Sequence, residues 1–71
     1  MHATIKTTDS RYVEIENVKT VYSYAYDGTR TTFEDDSIKD FNLGHHTNNF
    51  TIIGDQIFTA TRDNTLYVLF G

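Results

Sequence analysis

Apolar and polar residues alternate along most of this chain with the period of two that belongs to β-strands, and turn residues interrupt the alternation at short intervals. Arg11-Tyr12-Val13-Glu14-Ile15-Glu16 sets Val13 and Ile15 on one face and Glu14 and Glu16 on the other. That is a half-buried strand with a wet outer side. Before it, Ala3 to Thr7 alternate around Ile5, and Thr8-Asp9-Ser10 is a turn cluster, so the two stretches predict a first hairpin.

A second hairpin is predicted from Val18 to Phe33, reversing at Asp27-Gly28. Asp-Gly is a strong signal for a two-residue type I′ loop, because both central positions need positive φ. That loop pairs Tyr22 with Phe33, Tyr24 with Thr31 and Tyr26 with Thr29, and predicts that the Tyr22/Tyr24/Phe33 face packs inward. Ile38 to Leu43 is ambiguous: Phe41 and Leu43 fit a strand, Ile38 and Phe41 fit a helical turn. A strand is preferred, with one turn of helix from Ser37 as the fallback.

The stretch from Asn49 to Phe70 predicts a three-stranded antiparallel meander. Gly54-Asp55 serves as a two-residue hairpin loop with Gly54 at positive φ, and Thr61 to Asn64 as a four-residue loop. The pairing sets Ile52 opposite Ile57 and Phe58 opposite Tyr67. One face then carries Phe50, Ile52, Ile57, Leu66, Val68 and Phe70, the other Ile53, Phe58, Tyr67 and Leu69. With both faces apolar, the earlier hairpins are expected to cover one. The other, through Ile53, Phe58, Tyr67 and Leu69, is expected to meet a partner, with a two-fold homodimer the commonest closed solution.

These elements assemble into a single all-β domain over residues 1–71: a small antiparallel barrel, roll or two-layer sandwich of successive hairpins, with at most one short helical turn. Seventy-one residues bury only about 60% of the unfolded surface, so the core is thin. No cysteine is present to reinforce it, and 38% apolar residues is too hydrophobic for disorder. No apolar run reaches the length of a membrane span, and Met1 to Lys6 lack the order of a secretion signal. The expected address is the cytoplasm. Abundant Phe, Tyr, Ile, Asn and Lys, all with AT-rich codons, point to a low-GC bacterium or its phage.

Chemistry is sparse. The net charge of -4 argues against an unaided grip on nucleic acid. His45-His46 has no metal-ligand spacing and reads as a polar loop, and His2 as a terminal residue. Glu34-Asp35-Asp36, with Asp40 nearby, is rich in carboxylate oxygen but lacks the order of a calcium loop. It reads as a solvated turn, or as an acidic face for a basic protein partner. Tyr22, Tyr24 and Tyr26 read as packing, as an interface patch, or as a stacking ladder. The serines lack a nucleophile elbow, and the glycines form no phosphate loop. No cofactor, metal or enzymatic activity is expected. The function expected is a small interaction module that binds another protein. The alternatives are a compact acidic inhibitor or regulator from a mobile element, aimed at a nucleic-acid-binding protein, and a single-stranded nucleic-acid binder using the tyrosines.

Overall fold

The computed structural model describes residues 1–44 and 46–71; His45 of the histidine pair lies outside the described residues. Among the described residues seven strands form two antiparallel sheets: β1 (Ala3–Thr7), β2 (Tyr12–Ile15), β3 (Thr20–Tyr24), β4 (Arg30–Glu34), β5 (Asn49–Ile53), β6 (Ile57–Thr61) and β7 (Thr65–Phe70). One sheet has the order β2-β1-β7, the other β4-β3-β5-β6. The predicted all-β class of successive hairpins is what the chain adopts. The two sheets face each other across a core in which Phe50, Ile5, Ile15, Ile38, Ile52 and Val21 are fully buried. Each such burial contributes about 1.5–3 kcal/mol relative to exposure.

The first hairpin forms as its alternation demands. Ala3 pairs with Ile15 and Ile5 with Val13, which turns Glu14 to the outer face. The meander does not form. β7 leaves β6 and pairs antiparallel with β1, Ile5 opposite Val68 and Ala3 opposite Phe70. A 3-10 turn at Arg62–Asn64 carries the chain from one sheet to the other, and Thr8 N–H donates to the Asn64 carbonyl (3.0 Å). The β1·β7 ladder continues to the chain ends, where His2 and Gly71 exchange both backbone hydrogen bonds at 2.8 Å.

Both later hairpins sit one residue away from the predicted register, and a one-residue slip exchanges the two faces of a strand. The second hairpin reverses over Tyr26-Asp27-Gly28. Ala25 N–H donates to the Thr29 carbonyl (2.9 Å), and Gly28 N–H to the Ala25 carbonyl (3.0 Å), with Gly28 at φ +90°. This is the three-residue loop closed by a left-handed glycine. Val21 therefore opposes Phe33, and these two face inward while Tyr22 and Tyr24 point outward. At the other hairpin the loop is Gly54-Asp55-Gln56, so Ile53 pairs with Ile57 and Ile52 with Phe58. Gly54 is not in the left-handed region. Glycine is required there because a Cβ would stand 2.5 Å from the Glu16 carbonyl oxygen and 2.8 Å from Ile15 Cγ2.

The preferred strand at Ile38 to Leu43 is also overturned. Asp35–Asp40 is a 3-10 turn, and Phe41 and Leu43 follow without joining a ladder. Ser37 Oγ accepts from Glu34 N–H (2.8 Å) and donates to the Glu34 carbonyl (2.7 Å). That local closure competes with strand formation. It also aims Ile38 and Phe41 into the core.

Candidate functional site

A two-layer β-structure has two seams where the edges of its sheets meet, and the two seams here are built differently. At the β4/β7 seam the Phe41 ring packs edge-on against Phe33 of β4 (5.7 Å between centroids) and Phe70 of β7 (6.2 Å), with Phe50 behind it at 5.6 Å. Ile38 is buried beside this cluster. Aromatic pairs at these separations add about 0.5–1.5 kcal/mol beyond their buried area. This seam is plugged.

Among the described residues, hydrogen bonds tie the β2/β6 seam together at a single end. There Asp55 N–H donates to the Glu16 carbonyl (2.9 Å), Glu16 N–H donates to Asp55 Oδ1 (3.1 Å), and the Gln56 side-chain amide reaches the Glu14 carbonyl (3.4 Å). The other end is bounded by the Arg62–Asn64 turn, where Asn64 takes the Thr8 N–H as an extension of the β1·β7 ladder. Between them lies a cleft of about 630 Å³, a size typical of ligand sites. Its floor is half-buried and apolar: Val13 from β2, Phe58 and Ala60 from β6. Thr59, Asn64 and the turn after β1 supply its polar wall.

Two opposite charges at the rim satisfy each other. Arg11 Nε donates to Asp9 Oδ2 (2.8 Å), and the Thr7 hydroxyl donates to Asp9 Oδ1. The Thr7 hydroxyl first and the Arg11 charge second hold the Asp9 carboxyl below the usual carboxylate range. Tyr12, also at the rim, accepts a hydrogen bond from Lys6 Nζ (2.9 Å). The ammonium lowers the Tyr12 phenol from its ordinary value, and the phenol in turn raises Lys6.

The residues expected to act together are dispersed. Phe58 lies at the cleft and packs on Phe50 (6.4 Å). Ile53 faces outward from the four-stranded sheet, while Tyr67 and Leu69 face outward from the three-stranded one. The continuous apolar face that placed these four together is absent. Tyr22 and Tyr24 share the outer face of the four-stranded sheet with rings 6.5 Å apart, and the Arg30 guanidinium lies 4.8 Å above Tyr22. Tyr26 belongs to the hairpin loop and stands apart from them. Glu34, Asp35 and Asp36 are exposed at the end of β4. β4 is the opposite edge of its sheet from β6.

Among the described residues no three His, Cys, Asp or Glu side chains are grouped to hold a metal ion. His46 is exposed. His2 does engage chemistry of its own. It bonds Glu16 through Nδ1 (2.6 Å) and Glu14 through Nε2, and these contacts, Glu16 foremost, raise its pKa from the ordinary value.

Val13, Thr59 and Ala60 were not distinguishable as site residues from sequence. The one available signal was that Ile57 to Thr61 carries neither charge nor proline. No protein-family model, curated protein or solved structure matches this chain.

Proposed function

We propose that this protein is a small interaction module that binds a segment of another polypeptide in the β2/β6 cleft. The observation that carries the reading is the asymmetry of the seams: one is filled by the chain's own Phe41, while the other leaves Val13, Phe58 and Ala60 at the floor of an open cleft. Apolar floors with a few polar groups at the wall suit ligand capture. The mutual pairing of Asp9 and Arg11 takes one cation out of play, and the chain's net charge is -4, which favours a neutral segment over a polyanion.

Panning a random peptide display library against the protein, then titrating the recovered peptides into isotope-labelled protein, tests this. Backbone amide signals of Val13, Phe58, Thr59, Ala60 and Asn64 should shift, and Ala60→Glu, which sets a charge in the floor, should abolish recovery. Peptides that perturb only the Tyr22/Tyr24 face or the acidic turn would sink the reading in favour of those surfaces.

A further inference from the structure

The cleft offers more than an apolar floor, because one of its walls is an unpaired strand edge. The β5·β6 ladder continues beyond both strand ends through Arg62 N–H to the Asn48 carbonyl (2.9 Å) and Gly54 N–H to the Gln56 carbonyl (2.9 Å). In an antiparallel ladder the bonded pairs recur at every second residue. Phe58 and Ala60 therefore direct their N–H and C=O groups toward β5, and Ile57, Thr59 and Thr61 direct theirs away from it. The Thr61 carbonyl takes the Thr65 hydroxyl (2.9 Å). Among the described residues the backbone groups of Ile57 and Thr59 have no partner outside the strand ladders, and β6 pairs with β5 alone.

Natural proteins blunt such edges with charges, proline or bulges. β2 carries Glu14 with Glu16 next to it, and β4 carries Arg30 and Glu34. β7 is uncharged, but Phe41 fills the seam behind it. β6 reads Ile-Phe-Thr-Ala-Thr, with no guard of any kind and Ile57 72% exposed. It borders the cleft along Phe58, Thr59 and Ala60.

We infer that the segment taken up by the cleft is an extended strand that adds to β6 as the fifth strand of the larger sheet, recognised through backbone hydrogen bonds to Thr59 and Ile57. This rests on the interaction reading above and specifies its mode. Strand addition derives affinity from main-chain bonds and selectivity from alternate side chains. Inward side chains of the added strand lie beside Phe58 and Ala60 and across from Val13, so they are apolar. Outward ones flank Ile57, Thr59 and Thr61 on the hydroxyl-rich outer face, so they are polar or β-branched. The partner class is a neutral, alternating apolar–polar segment of about five residues, the length of β6.

The probe is a blocked heptapeptide of alternating threonine and valine, with two versions N-methylated on alternate residues, either all threonines or all valines. Titrated to about 5 mM, above the Kd of a weak peptide contact, the parent should shift and protect the Ile57 and Thr59 amides. One methylated version should bind like the parent and the other at least about tenfold more weakly, since only one edge of the added strand faces β6. Thr59→Pro removes an N–H that faces solvent, which edge strands tolerate, and should weaken the parent by a similar factor. Should that variant unfold, the methylated pair still decides. Equal binding of both methylated peptides, undiminished binding to a folded Thr59→Pro protein, or shifts confined to Tyr12 and Glu14 overturns strand addition to β6. So does a parent that perturbs nothing. In each of these cases peptides recovered by panning still decide the interaction reading by themselves.

Discussion

The β4/β7 seam and the β2/β6 seam solve the same problem in opposite ways. Each lies where two sheet edges diverge and the core would otherwise be reached by water. At β4/β7 the chain folds a 3-10 turn back on itself and drives Phe41 between Phe33 and Phe70. At β2/β6 it makes polar contacts at one end and leaves the rest open over Val13, Phe58 and Ala60. The difference teaches where stability and recognition reside in a chain too short to supply both everywhere. Closure by an inserted aromatic is an apolar term that scales with buried area. Closure by a few backbone and amide contacts contributes about 0.5–1.5 kcal/mol each and leaves surface available.

The largest test removes the plug. Phe41→Ala should cost about 3–5 kcal/mol, against a total of roughly 4–10 kcal/mol for a chain of this length. Urea denaturation should show a protein at the limit of folding, and an unchanged midpoint would erase the contrast between the seams. Next comes the joined end of the open seam. Gly54→Ala forces a Cβ against the Glu16 carbonyl oxygen, backbone that cannot swing aside. A loss of about 1–3 kcal/mol is expected, with faster hydrogen exchange at Asp55 and Glu16. Phe58→Ala, at the half-buried floor, should lose only roughly 1–2 kcal/mol and less than Phe41→Ala. The reverse order would mean that the cleft bears more of the fold than the plug.

The smallest effect is tied to pH. His2 bridges Glu16 and Glu14, whose backbones hold the joined end of the open seam. Its folded pKa is raised above the unfolded value of about 6.5. The folded state therefore binds the proton more tightly than the unfolded one. The stabilisation is complete below about 6.5 and is lost as pH rises through the elevated folded value. Comparing urea midpoints at about pH 6 and pH 8, the wild type should lose more than His2→Gln over that interval. Equal losses would remove His2 from the account.

Much of this fold was legible because alternation reports a strand directly. The β1–β2 hairpin, with Ile5 opposite Val13 and Glu14 outside, is a local pairing whose faces differ unmistakably. The later registers were not legible for a specific reason. Val18 to Tyr26 has apolar or aromatic candidates in both phases, and Asp27-Gly28 suits a two-residue loop as well as the three-residue one adopted. At Gly54 the loop is set by β2, through Glu16 and Glu14, and such distant contacts leave no local trace. The partner of β7 is equally non-local: the alternation of Thr65 to Phe70 suits a hairpin with β6 and a ladder with β1 alike. The candidate site inherits this. Phe58 could be picked out as an apolar residue, but the recognition surface inferred at Thr59 is backbone, and an unpaired edge appears only once strand order is known.

The exchange of both backbone bonds between His2 and Gly71 places the two ends of the described chain side by side as ladder partners. A short covalent bridge across that point, with a new opening cut in the exposed tip at Asp27-Gly28, would preserve every strand pairing while reordering the sequence. The first and last strands thus meet within one sheet, so the order of the strands in space does not depend on where the chain is opened.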